Sequence, residues 1–135
     1  MVTLSSKITE YFQRFRHGDR DGAFFGLLEM GHDILPELMA MFKIEPDDRI
    51  RAFLVEVIWQ HRQHSVIPFL GEALNDSESQ VWRQALDGLV TLASPAALKV
   101  LRSASVRQFP HQQDTEQFRS WLEEAIGQAE QSQKT

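Results

Sequence analysis

Apolar residues recur every three or four positions along most of the chain, a spacing that is typical of amphipathic helices rather than of strands. Proline and glycine separate these stretches at short intervals. Asp47 or Asp48, Ser65 and Ser94 are the expected N-caps of the helices that follow them. The pattern predicts eight helices and no strand. The predicted helices cover approximately residues 8–18, 23–31, 33–42, 47–62, 65–74, 77–89, 94–101 and 114–126.

The predicted helices repeat in pairs. One spacing of apolar residues appears in the fourth helix, again 31 residues later in the sixth, and 37 residues after that in the eighth. The matching positions are Ile50, Arg51, Leu54, Val57 and Ile58, then Val81, Trp82, Ala85, Gly88 and Leu89, then Phe118, Arg119, Leu122, Ala125 and Ile126. Repeats of this length are typical of solenoids, in which each unit buries its apolar face against its neighbours. The sequence thus predicts an all-α, short α-solenoid of about four antiparallel helix pairs.

At these positions the sequence resembles the HEAT-repeat family, including the short HEAT-like repeats of phycobilin lyases. The resemblance rests on one or two acidic residues, a Val/Ile–Arg pair and the small or aliphatic residues that follow, as in residues 47–58. It extends well over about residues 33–129 and weakly over 5–31, and Trp82 stands where the family usually has Arg. The resemblance implies that the second helix of each pair lies on a concave side. It implies little about function, because members of one fold family bind many unrelated partners.

The composition favours one globular domain, which we expect over residues 1–131, with a frayed tail at 132–135. Disorder is excluded because 42% of the 135 residues are apolar and the net charge is only −5. The absence of cysteine excludes a disulfide scaffold and thiolate metal sites. No stretch approaches the roughly 20 apolar residues that a membrane span needs, and no secretory signal is visible. We expect a cytoplasmic protein with no membrane partner.

Helical projection at about 100° per residue leaves one outer face on the fourth, sixth and eighth helices. Glu56, Asp87 and Glu124 occupy equivalent positions there and form an expected acidic row, with exposed apolar groups beside it. The expected partner-binding residues are Val55, Glu56, Trp59, Arg83, Leu86, Asp87, Val90, Glu123 and Glu124. Two alternatives stay open: the carboxylates form a solvated face, and the apolar residues, Trp82 among them, pack between adjacent repeats.

The longest predicted connection, residues 103–113, lies within a basic stretch that contains Lys99, Arg102, Arg107 and His111. Long loops in compact domains often carry function, so this loop is a second candidate contact. The alternative is that the connection simply varies in an end repeat.

Groupings typical of catalysis or cofactor binding are not found, and we expect no enzyme activity, no cofactor and no metal site. His61 and His64 are three residues apart but lack a third ligand nearby in sequence, so an interaction with the helix C-terminus is the simpler reading. The acidic row would repel phosphate, and we expect no direct binding of nucleic acid.

These features predict a non-enzymatic protein-binding module whose acidic, partly apolar concave face binds a basic protein. One concrete form is a bacterial immunity or antitoxin-type inhibitor of a cationic toxin. The alternatives are a HEAT-like lyase or chaperone-type accessory subunit and a structural adaptor in a larger complex. The sequence leaves the oligomeric state open.

Overall fold

The structure is a computed structural model and describes residues 3–134. Eight α-helices follow one another in that range, with no strand among the described residues. They are α1 (Leu4–Arg16), α2 (Arg20–Glu29), α3 (Leu35–Ile44), α4 (Asp48–Gln60), α5 (Ile67–Ala73), α6 (Ser79–Leu92), α7 (Pro95–Ser103) and α8 (Gln112–Gln133). Short 3₁₀ turns at His32–Ile34 and His64–Val66 precede α3 and α5, and a third, Ala104–Val106, follows α7. The prediction of an all-α, solenoid-like fold is confirmed.

The helix ends agree in part with the expected caps. The Asp47 side chain accepts a hydrogen bond from the Arg49 backbone N–H at 2.9 Å, and Ser94 accepts one from Ala97 at 3.1 Å. Ser65 is not a cap, because it lies inside a 3₁₀ turn and α5 begins two residues later. The fourth helix ends before Arg62, whose φ of 56° breaks the helical geometry.

The C-terminal helix is longer than predicted. It continues to Gln133, which takes in residues 132 and 133 of the expected tail, and Lys134 is its C-cap. Thr135, like Met1 and Val2, lies outside the described residues.

The helices form two layers. Helices α2, α4, α6 and α8 pack side by side in one layer, and α3, α5 and α7 lie against its inner side. The outer side of the first layer is here called the even-helix face. The predicted apolar stripe lies between the layers and is buried in α4, α6 and most of α8. The repeat pattern in the sequence therefore corresponds to the core of the solenoid.

A glycine sets the distance between α4 and α6. A Cβ atom on Gly88 would lie 2.7 Å from Cγ of Trp59 and 3.1 Å from Cδ1 of Leu70. Both contacts are shorter than ordinary van der Waals distances, so this position of the repeat accepts no side chain without a shift of its neighbours.

Arginine side chains tie the inter-helix loops together. Arg51 of α4 makes a bidentate ion pair with Asp76, with Nε–Oδ2 and Nη2–Oδ1 distances of 2.9 and 3.2 Å. Its remaining nitrogen donates to the carbonyls of Glu45 and Pro46 at 3.1 and 3.0 Å. One side chain therefore joins the loop before α4 to the loop before α6.

Trp82 occupies the position of α6 that is equivalent to Arg51 of α4, and it cannot make these ion-pair and carbonyl contacts. It is fully buried and packs edge-on against Phe118 of α8, with ring centroids 5.1 Å apart. Arg107, from the connection before α8, donates instead to the carbonyls of Leu74 and Asp76, the latter at 2.8 Å. The basic loop at 103–113 thus uses Arg107 to hold the fold together.

Candidate functional site

Three apolar residues expected on the exposed face are buried. Val55, Leu86 and Trp59 are 0%, 3% and 8% exposed, so the expectation that they present an apolar surface is wrong. Each lies on the flank of a helix that has a neighbour on both sides within its layer. Trp59 packs against Gly88, and its indole N–H donates to Oε1 of Gln84 at 3.0 Å. The alternative of packing between repeats therefore describes these side chains.

Glu56, the first member of the acidic row, is already paired. Its carboxylate forms an ion pair with Arg20 at the start of α2. The same guanidinium lies over the rings of Phe24 and Phe53, 5.6 and 5.9 Å from their centroids. Next to this pair is a pocket of about 250 Å³, lined by Phe15, Arg20, Arg49, Ala52, Phe53, Glu56, Gln80 and Gln84.

The other two members of the row share a cleft between α6 and α8, here called the α6–α8 cleft. It has a volume of about 90 Å³ and is lined by Leu86, Asp87, Val90, Trp121, Glu124, Ala125 and Gln128. Asp87 and Glu124 are exposed, and neither has a salt-bridge partner among residues 3–134. Partial burial raises the pKa of the Asp87 carboxyl above its usual value. The cleft therefore holds two carboxylates that form no salt bridge with any of residues 3–134.

Trp121 is the site residue that the sequence interpretation missed. Its side chain is 42% exposed in the α6–α8 cleft, unlike those of Trp59 and Trp82. The predicted face included the row of Glu56, Asp87 and Glu124 and the residues beside it. Trp121 was not included, because it lies one helical turn before Glu124. That i, i+3 spacing between an aromatic and an acidic residue was the available signal.

Of the remaining predicted residues, only Val90 lines this cleft. Val90 is partly buried and lines it, whereas Glu123 is exposed on α8 and is not one of the residues around the cleft. The Arg83 guanidinium lies 4.5 Å from the centroid of the Trp121 ring and also does not line the cleft. The structure thus brings together Leu86, Asp87, Val90 and Glu124, with Arg83 next to them.

The histidines pair differently from the sequence interpretation. His64 is exposed in a 3₁₀ turn, and His61 is instead buried beside His32, with 3.1 Å between their Nδ1 atoms. Burial, together with the nearby His32, lowers the pKa of His61 below its usual 6.5, and a backbone contact with Leu27 opposes part of this effect.

Histidine and acidic side chains are spread over the described part of the chain. No three histidine or acidic side chains in it converge closely enough to hold a metal ion. None of its helices combines the length and apolar character needed to cross a membrane.

Comparison with known protein families finds a match over most of the chain. A family model described as HEAT repeats matches residues 35–127, which include α3 to α7 and most of α8. No curated protein matches the chain, and no solved structure does.

Proposed function

The chain belongs to the HEAT-repeat family, whose repeats commonly mediate interactions between proteins, and from this premise we propose that it is a protein-binding module. Its partner is a basic protein, and the contact surface is the even-helix face around the α6–α8 cleft. The family generally serves as a non-catalytic scaffold, which fits a module that acts by binding alone.

The α6–α8 cleft is the observation that carries this proposal. An exposed tryptophan lies there beside two carboxylates that have no salt bridge within the described chain. Aromatic side chains that become buried on binding are frequent anchors of protein interfaces. Unpaired carboxylates attract a cationic partner and select against an acidic one. The site therefore combines an anchor with a source of charge selectivity.

An immunity- or antitoxin-type inhibitor is the specific form of this function that we favour. Such a protein masks a cationic toxin by binding it directly, and it needs no catalytic residue or cofactor of its own. The net charge of −5 supports this form because it attracts a basic surface. The inhibitor would act in the cytoplasm with its target. In an accessory subunit or a structural adaptor, the same face would hold a permanent partner protein instead.

The proposal is tested with the natural partner, captured on the immobilised protein from its native host and identified by mass spectrometry. The double variant Asp87→Asn/Glu124→Gln should weaken binding of that partner by about tenfold or more at low salt, because both attractive charges are lost. The control is Glu72→Gln, which removes one negative charge from an exposed position of α5 in the other layer and should change the affinity by less than about twofold.

Two results would contradict the proposal. One is an unchanged affinity of the double variant, with circular dichroism showing that it is folded. The other is a captured partner that is acidic at its contact surface, because the unpaired carboxylates would repel it.

A further inference from the structure

One cation is already bound on the even-helix face, and it comes from the protein itself. Arg20 of α2 pairs with Glu56 of α4 and lies over the ring of Phe53. Phe53 precedes Glu56 by three residues on α4. A carboxylate and an aromatic ring at i, i+3 spacing therefore hold a guanidinium group in the first half of this face.

The same pair of residue types recurs at the other end of the face. Trp121 and Glu124 stand 68 residues after Phe53 and Glu56, at the equivalent positions of α8. Phe53 is covered by Phe12 and Phe15 of α1, with ring centroids 5.7 and 4.2 Å away. Trp121, in contrast, remains substantially exposed, and Asp87 of α6 adds a second carboxylate to its cleft.

We propose that the α6–α8 cleft binds an arginine side chain of the partner, with its guanidinium paired to Asp87 and Glu124 and packed against the Trp121 ring. The inference rests on the proposed function, since the arginine belongs to the basic protein proposed above. The bound Arg20 provides the template: the same chemistry occurs there with every component present.

The lining of the cleft favours arginine over lysine. Its walls include the apolar side chains of Leu86, Val90 and Ala125. A guanidinium is planar and more weakly hydrated than an ammonium group, so it stacks on an indole and enters a partly apolar cleft more readily.

Arg83 gives the inference a charge test of opposite sign. It contacts the Trp121 ring and shows that this indole accepts a guanidinium, but its positive charge opposes a second cation nearby. Removal of Arg83 should therefore strengthen binding of an arginine. If the cleft instead bound a carboxylate, the same change would weaken binding.

The test uses three N-acetylated, C-amidated peptides of the pattern Gly-X-Gly-X-Gly, in which X is Arg, Lys or Glu. Binding is followed by the indole N–H signal of Trp121 in ¹H–¹⁵N NMR spectra, assigned with Trp121→Phe. The arginine peptide should shift this signal saturably and bind about fivefold or more tightly than the lysine peptide. Asp87→Asn/Glu124→Gln should weaken it by about tenfold, and Arg83→Gln should strengthen it by about twofold. Glu72→Gln, at an exposed position of α5 in the other layer, should leave its affinity within about twofold.

The inference is overturned if the arginine peptide leaves the Trp121 signal unchanged, if the lysine peptide binds equally well, or if Arg83→Gln weakens binding. Its failure is distinguishable from failure of the proposed function. If binding of the captured partner requires Asp87 and Glu124 but the arginine peptide does not bind, the proposed function is supported and the arginine site is contradicted. If the partner binds the double variant as tightly as the wild-type protein, the proposed function itself is contradicted.

Discussion

Trp121 differs from the other two tryptophans in what covers it. Trp59 packs against Gly88 and donates to Gln84, and Trp82 lies under Phe118 of α8. Trp121 has the guanidinium of Arg83 4.5 Å from its ring centroid and keeps much of its surface open. An exposed indole beside carboxylates that lack a salt bridge is typical of a contact surface.

The buried histidine makes the stability of the fold depend on pH. Because burial lowers the pKa of His61, the unfolded chain takes up a proton first as the pH falls through 6.5. The stabilisation from a neutral His61 is therefore complete above pH 6.5 and is lost towards the lower pKa of the folded state. We expect the free energy of unfolding, measured with urea, to decrease between pH 7 and pH 5.

Two variants assign this pH dependence. His61→Gln should reduce the slope of stability against pH, whatever its effect on absolute stability, because the titrating group is gone. His64→Gln, at an exposed position, should keep the slope of the wild-type protein. A wild-type slope in the His61 variant would show that another group is responsible.

The helices themselves follow from the periodicity of apolar residues, and the repeat offsets give their pairing. The burial of Val55 and Leu86 could not be predicted from this periodicity, because a helical projection assumes that each helix has one buried face. Helices α4 and α6 have neighbours on both flanks as well as below, so their buried surface is wider. The repeat pattern also does not predict the role of Arg107. This residue lies 25 positions after Trp82, outside α6, and supplies the arginine contacts that α6 lacks.

Two glycine substitutions should have opposite effects on the free energy of unfolding, because only one of the glycines lies where α4 and α6 pack closely. Gly88→Ala should lower the free energy of unfolding by about 1–3 kcal/mol, because the new methyl group meets the buried Trp59. Gly127→Ala, on α8, meets no atom within 4 Å and should raise it by up to about 1 kcal/mol through helix propensity. Urea unfolding of both variants measures these changes. A neutral or stabilising Gly88→Ala would mean that the two helices are less closely packed.

The 135 residues carry a net charge of −5, and several of the carboxylates are held in contacts within the fold. Glu56, Asp76 and Glu130 have arginine partners, and Asp47 caps a helix. The carboxylates of the α6–α8 cleft lie on the layer that also presents the ion pair of Arg20 and Glu56. In the function that we propose, this difference would direct a basic partner towards the C-terminal half of the even-helix face.

The location of the bound partner tests this account most directly. A benzoylphenylalanine photocrosslinker placed at Trp121 probes the cleft, and the same group at Ile44, an exposed apolar residue of α3 in the other layer, is the matched control. The account predicts that irradiation links the captured partner through the Trp121 position and not through the Ile44 position. Crosslinking through Ile44 alone, or equally through both positions, would contradict it.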